Sequence, residues 1–126
     1  MKTLETERLI LRPFVLDDIE DFFEYCQMET VGPKAGWAVH DNKEFSRKII
    51  EGFIEKEDVL AVFLRTENKV IGSVGLHKKT DALGNIQFEI GYVLSTPYEG
   101  RGLMTEAVKR VIKHAFLELN LEEIFV

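Results

Sequence analysis

Residues 91–107, Gly-Tyr-Val-Leu-Ser-Thr-Pro-Tyr-Glu-Gly-Arg-Gly-Leu-Met-Thr-Glu-Ala, constrain the fold more than any other part of this chain. They read as a β-strand that passes through a turn and a Gly-x-Gly loop straight into a helix. A helix start leaves its first backbone N–H groups without intrahelical partners, and the helix dipole adds partial positive charge at the same place. Gly100 and Gly102 let an anionic group approach that backbone closely, because no side chain stands in the way. The segment reads as a pyrophosphate cradle.

The rest of the chain supplies a frame for that junction. Residues 8–12 alternate in polarity and stop at Pro13, which predicts a first strand. Asp17 followed by Glu20 predicts a capping box for a helix carrying Ile19, Phe22, Phe23 and Cys26. Residues 31–36 are dense in helix breakers and predict a loop. Asp41 with Glu44 predicts a second capping box, opening a helix whose apolar face is Phe45, Ile49, Ile50, Phe53 and Ile54.

From Val59 the hydrophobic period changes to two. Residues 59–65 and 70–77 predict strands joined by a hairpin turn at 66–69, with a further turn within 78–84. Residues 85–94 predict a third strand of this meander. Phe88, Ile90, Tyr92 and Leu94 would share one face of it, and Gln87, Glu89, Gly91 and Val93 the other. A third helix is expected over about 102–119, with Leu103, Ala107, Val111, Ala115 and Leu119 as its buried stripe and Asn120 as its end. Residues 122–126 start another strand, parallel to the third by the rule for β-α-β crossovers. Ending on Ile-Phe-Val in mid-strand, the chain is expected to be a single domain, 1–126, whose C-terminal helix and strands are missing.

Composition excludes several function classes. A net charge of −6 argues against a nucleic-acid partner held through phosphate contacts. The single cysteine, Cys26, excludes an internal disulfide and reads as a small buried hydrophobe. No apolar run approaches membrane-spanning length and the N-terminus leads into no signal-peptide core, so a cytoplasmic protein is expected. No cluster of His, Cys, Asp and Glu has metal-ligand spacing. The Gly-x-Gly loop lacks the Gly-Lys-Ser/Thr ending of a P-loop and the full dinucleotide fingerprint, which weighs against a nucleotide-binding domain.

The segment from Glu99 to Met104 resembles the acetyl-coenzyme A binding motif of the GNAT N-acetyltransferases, Arg/Gln-x-x-Gly-x-Gly/Ala after a strand and before a helix. The run Gly100-Arg101-Gly102-Leu103-Met104-Thr105-Glu106-Ala107 is closer to the ribosomal-protein (RimJ/RimL) branch of that family. Glu5-Thr6-Glu7-Arg8-Leu9-Ile10-Leu11-Arg12-Pro13 and Ile90-Gly91-Tyr92 are similar to other segments of the same branch. The resemblance implies an α/β (α+β) GNAT fold in the order β-α-α-β-β-β-α-β, an antiparallel meander followed by a β-α-β crossover in a mixed central sheet. Two departures stand out. Glu99 occupies the place of the usual Arg or Gln, and Met104 that of Gly or Ala.

The resemblance also implies roles. Backbone N–H groups of Glu99, Gly100, Arg101, Gly102, Leu103 and Met104 would hold the pyrophosphate of acetyl-CoA, with the Thr105 hydroxyl as an added donor. Val93 and Leu94 would pair through their backbones with the pantetheine arm, and an N–H near Leu94 would polarise the thioester carbonyl. Direct acetyl transfer needs a deprotonated amine, for which Glu89 is the first candidate base and His77 the second. Trp37 lies in the loop that lines the acceptor side. His114 and His40 read instead as a surface or capping residue and as part of the second helix start, and Lys78-Lys79 as a solvated turn. The acceptor would be a protein N-terminus or a small amine. The competing expectation is an inactive acyl-CoA binding or interaction module, dimerising through its open C-terminal strand.

Overall fold

The computed structural model describes residues Met1–Val126. Five strands form one antiparallel sheet in sequence order: β1 (Leu4–Glu5), β2 (Leu9–Pro13), β3 (Val59–Leu64), β4 (Lys69–Thr80) and β5 (Ile86–Leu94). Helices α1 (Ile19–Cys26), α2 (Gly32–Ala35) and α3 (Lys43–Lys56) fall between β2 and β3, and α4 (Leu103–Leu117) follows β5. No helix is long and apolar enough to cross a membrane.

The sheet separates two hydrophobic cores. On one face Leu9, Leu11, Leu60, Val62, Val74 and Ile90 pack against Leu103, Ala107, Val111 and Ala115 of α4. On the other, Ala61 and Val70 pack with Phe14, Phe22, Tyr25, Cys26 and Ile50, from α1, α3 and the chain leading into α1. This follows from the period-two pattern, which sends alternate side chains of each strand to opposite faces. Each fully buried Leu or Val contributes roughly 1.5–3 kcal/mol.

Local start and stop signals explain where the structure departs from the expected boundaries. The first capping box does not form at Asp17. Asp18 is the buried residue there, and its carboxylate accepts from the Val15 N–H at 2.9 Å and from both Arg12 terminal nitrogens at 2.8 Å. A charge-assisted, bidentate partner one strand away outweighs a local cap. The second cap shifts by one residue, with the Asn42 side chain accepting from Phe45 N–H at 2.9 Å in place of Asp41. Residues 32–35 form a helical turn, α2, where a loop was expected. Pro33 pre-sets its first turn and Gly36 closes it at φ 91°.

Strand β4 runs on to Thr80, and the hairpin tip closes around the Asp81 carboxylate, which accepts from Leu83 and Asn85 N–H at 2.9 Å. Helix α4 ends at Leu117, so Leu119 lies beyond it and is exposed. The strand expected over residues 122–126 reduces to one parallel bridge, Glu89 to Phe125. Ile90 N–H donates to the Phe125 carbonyl at 2.7 Å, and Phe125 N–H to the Phe88 carbonyl at 2.9 Å.

Candidate functional site

The junction between β5 and α4 is built from hydrogen bonds that end where the glycines begin. Ser95 N–H donates to the Ile71 carbonyl at 2.7 Å, and one tight turn, Thr96–Tyr98, brings the chain round to Glu99. Gly100 and Gly102 then take φ values of 80° and 73°, left-handed conformations that side-chain-bearing residues rarely adopt. No backbone N–H from Gly100 through Thr105 has a partner. The first bond of the helix is Glu106 N–H to the Gly102 carbonyl at 3.0 Å. A Cβ added at Gly100 would meet nothing within 4 Å, so the loop is open on that side. Consecutive N–H groups beside left-handed glycines at a helix N-terminus form an anion-binding concavity.

A second layer holds this loop from behind. The Arg8 guanidinium donates to the Arg101 carbonyl and, through Nε, to Glu106 Oε1, both at 2.8 Å. Glu106 Oε2 accepts from the Arg8 backbone N–H at 3.0 Å and from the Thr6 hydroxyl at 2.5 Å. Burial alone would raise the Glu106 pKa, but these hydrogen bonds outweigh it and hold the carboxyl below the usual range. The acid in the first turn of α4 is thereby held by Thr6 and Arg8, in the turn between β1 and β2. This is the structural content of the Thr6-Glu7-Arg8 segment.

Side chains around the loop divide into two groups. Leu103 is buried in the core, and Met104, buried for most of its length, reaches the crevice beside Thr105. Thr105 is exposed and shares a crevice of about 320 Å³ with Tyr92, Val108 and Lys109. Lys109 was not singled out from the sequence, although it stands one helical turn after Thr105 on the same face. The Glu99 side chain is exposed, and with Thr30 and Lys34 it lines a smaller crevice of about 190 Å³. Arg101 lies over the Tyr98 ring, 5.3 Å from its centroid.

Alternation along β5 sorts its backbone groups. Val93 pairs with Ser73 in the register, and its carbonyl points at Gly72, where an added Cβ would come within 2.3 Å of it. The Ile90 N–H points to the opposite edge, toward Phe125. Backbone groups of Tyr92 and Leu94 share that outer edge with Ile90, because direction repeats every second residue. Of the expected pair Val93 and Leu94, only Leu94 therefore offers main-chain groups away from β4. Val93 contributes a side chain to the groove described next.

On the sheet face away from α4, His77 and Glu89 stand opposite each other on β4 and β5. They line a groove of about 350 Å³ with Trp37, Phe53, Ser73 and Val93. The Glu89 carboxylate meets the Lys79 ammonium at 2.9 Å, and both are substantially exposed. His77 Nδ1 lies 3.1 Å from Asp58 Oδ2, while Nε2 lies over Gly75 and Gly91. A Cβ at Gly75 would come within 2.7 Å of that nitrogen, so the imidazole occupies room that glycine leaves free. Trp37 is seated in the same way on Gly32, where a Cβ would come within 2.7 Å of the indole.

The remaining histidines differ from their sequence reading. His114 is buried at 5% exposure, with Nδ1 3.0 Å from Glu118 Oε2, because its turn of α4 faces the core. His40 is buried too, with Nδ1 2.6 Å from the Ser46 hydroxyl. Lys78 and Lys79 belong to β4 and not to a turn.

Comparisons with known proteins match this arrangement to one family. The family model described as an acetyltransferase (GNAT) domain covers residues 8–126. The chain is 30% identical over 124 residues to the uncharacterized N-acetyltransferase YnaD of Bacillus subtilis, an alignment covering 96% of this chain and 69% of that protein. An acetyltransferase (GNAT family) from Bacillus anthracis has a similar structure, with a TM-score of 0.80 at 26% identity over 98% of this chain and 71% of the other. The ribosomal-protein-S5-alanine acetyltransferase from Vibrio fischeri shares the fold, with a TM-score of 0.72 at 22% identity over 98% and 72% of the two chains.

Proposed function

The chain belongs to the GNAT acetyltransferase family and is an acetyltransferase; from that premise we propose that it moves an acetyl group from acetyl-CoA to a primary amine. The observation that carries the cofactor reading is the unpartnered run of N–H groups from Gly100 through Thr105. A pyrophosphate would supply the acceptors this run lacks, and Gly100 leaves the approach open. Thr105 and Lys109 flank the loop and would add a hydroxyl and an ammonium. Backbone groups of Tyr92 and Leu94 on the outer edge of β5 would pair with the pantetheine arm as an added strand does.

Acetyl-CoA supplies an activated acetyl thioester, and the protein's own groups do the rest. The Leu94 N–H would stabilise negative charge developing on the thioester oxygen. The groove with Glu89 and His77 would hold the amine and take its proton, either directly or through water. Glu89 offers a carboxylate restrained by Lys79. His77 offers Nε2, with Nδ1 held by Asp58, which fixes the ring as a base requires. Attack would take place within a ternary complex, without a covalent enzyme intermediate; the one thiol, Cys26, is buried and its pKa is pushed far up by burial, which keeps it out of the reaction. A ribosomal-protein-type acceptor is part of the proposal only through sequence resemblance.

Calorimetric titration with acetyl-CoA, with Gly102→Asp as control, tests this reading. Binding by the native chain that is lost in a folded Gly102→Asp variant is the expected result. A folded native chain that does not bind acetyl-CoA would overturn it.

A further inference from the structure

We propose that His77 takes the amine's proton, with its Nε2 aimed at the nucleophile's place over Gly91 and with Asp58 as the residue that positions the ring. The inference rests on the acetyl-transfer reading above and narrows it, setting Glu89 outside the proton path.

The floor of the groove is made of three cross-strand pairs whose side chains share one face: Ser73 with Val93, Gly75 with Gly91, and His77 with Glu89. The middle pair carries no side chains. Glycine inside a strand weakens it and marks a place where another group comes close to the backbone. Here that group is the His77 imidazole, which leans along β4 into the gap. At Gly75 a Cβ would lie 2.7 Å from Nε2, so the ring requires that glycine. At Gly91 a Cβ would lie 3.5 Å from Nε2 and 3.6 Å from Cδ2, and would meet nothing else within 4 Å. The space over Gly91 is therefore open to the groove and bounded by the Nε2 edge of the ring alone. An amine nitrogen placed there is within reach of Nε2.

The ring is also held in the form a base needs. A carboxylate only accepts, so the 3.1 Å contact of Nδ1 with Asp58 Oδ2 places the proton of the neutral imidazole on Nδ1. Nε2 keeps its lone pair. Asp58 directly precedes β3, and its backbone carbonyl accepts from Leu76 N–H at 3.0 Å, which fixes it beside β4. Of the other charged groups around the ring, Glu89 stands opposite it, and Lys48 and Lys56 of α3 line the crevice on its far side. The groove also opens to an apolar pocket of about 360 Å³, walled by Phe22, Phe45 and Ile49, which brings no carboxylate or ammonium. A proton gained at Nε2 is thus answered by Asp58, in direct contact with the same ring.

The two candidate bases lie at different distances from the cofactor end of β5. Gly91 is three residues from Leu94 and Glu89 five, about 10 and 17 Å at roughly 3.4 Å per residue. The Glu89 carboxylate is held by Lys79, which springs from the level of Gln87, farther away still. Nε2 takes one proton from the amine nitrogen as that nitrogen gains its bond to the acetyl carbon and the thioester sulfur departs with the electron pair of the C–S bond. The proton then leaves Nε2 for that thiolate or for solvent.

NMR of 15N-histidine-labelled protein reads the tautomer without any turnover, and His77→Asn identifies the His77 signals among those of His40 and His114. We expect Nδ1–H with a bare Nε2 in the native chain, and a mixture of both forms in Asp58→Ala. Kinetics use whichever of tyramine, spermidine and a short peptide with N-terminal alanine the native chain acetylates fastest. His77→Asn and Asp58→Ala should each lower kcat at least tenfold with acetyl-CoA Kd within a factor of two, while Glu89→Gln keeps kcat within about threefold. Gly91→Ala introduces only ordinary contacts and should fold, yet its methyl should lower kcat/KM for the amine at least tenfold by filling the nucleophile's place. An Nε2–H tautomer in the native chain, an unchanged kcat in Asp58→Ala, or a loss in Glu89→Gln as large as that in His77→Asn would each overturn the assignment. An unaltered kcat/KM in Gly91→Ala would overturn the placement over Gly91. Acetylation of none of the three amines, with the expected tautomer in place, would instead remove the transfer reading beneath, and the base with it.

Discussion

Removing the Arg8 guanidinium should loosen the cofactor loop from a distance. Arg8→Met deletes two charge-assisted hydrogen bonds, to the Arg101 carbonyl and to Glu106 Oε1, both 2.8 Å long. Such bonds contribute about 1.5–3 kcal/mol each when well buried. The Arg8 side chain is 41% exposed, so solvent screening reduces that figure by half or more. Glu106 also keeps its bonds from Thr6 and from the Arg8 backbone N–H, so it is not left unsatisfied. The net loss of stability should be about 1–2 kcal/mol, lowering Tm by roughly 3–8 °C in a chain of this size. Affinity should fall separately. Without its anchor on the Arg101 carbonyl, the loop must be ordered on binding, at about 1–2 kcal/mol for each residue fixed. One such residue corresponds to an acetyl-CoA Kd roughly 5- to 30-fold weaker. Thermal denaturation and calorimetric titration of the same preparation read the two effects. A lowered Tm with Kd within a factor of two of the native value would refute the idea that Arg8 pre-orders the loop.

Three further outcomes follow from the geometry. Glu89→Gln should keep acetyl-CoA affinity and lower kcat at least tenfold if Glu89 removes the proton, whereas an unchanged kcat there with a similar loss in His77→Asn would assign the proton to His77. Gly72→Ala should destabilise the protein by roughly 1–3 kcal/mol, read from urea denaturation, because its Cβ would be forced against the Val93 carbonyl at 2.3 Å. Glu106 has a folded-state pKa below its unfolded one, so its contribution is complete above the unfolded value of about 4.3 and is lost as pH falls through the lower folded value. Glu106→Gln should therefore blunt the acid-side decline of the denaturation midpoint across that window, and parallel curves for the two proteins would contradict this.

The strand–glycine–helix junction was legible in the sequence because its geometry is local: two glycines, a strand before them and a helix after. The meander was legible because period-two alternation reports directly which side chains share a face. That placed Glu89, Gly91 and Val93 opposite Ile90 before any contact was known. The groove on the face away from α4 was legible in part, since Trp37, Glu89 and His77 were named from the sequence and share it, but the pocket beside it was not. Tyr25, His40 and Ser73 come from three different elements, and only tertiary packing brings them to one pocket. The helix starts were misread by a residue or so for a related reason. Asp18 is recruited by Arg12, at the end of the preceding strand, and helix-cap spacing alone does not favour it over Asp17. Asp58 escaped notice in the same way, since it orients His77 across 19 residues of chain. Alternation could have shown that Val93 turns its backbone toward β4, had hydrogen-bonding direction been followed along the strand as well as side-chain direction.

The sheet's two cores bear on how such a protein can diversify. The core against α4 anchors the loop, and its large side chains are almost wholly enclosed. The core on the opposite face contains the pocket, and several of its walls, such as Phe45, reach solvent. On the proposed reading, residue changes on that face would alter which amine is accepted without touching the packing beneath the Gly100–Thr105 loop. Conversely, a mutation under α4 would be felt for every acceptor alike. Acceptor preference could then drift at low risk to donor binding, and on the proposed reading paralogues of this chain should vary most on the face away from α4, at positions such as Trp37, Phe45 and Ile49.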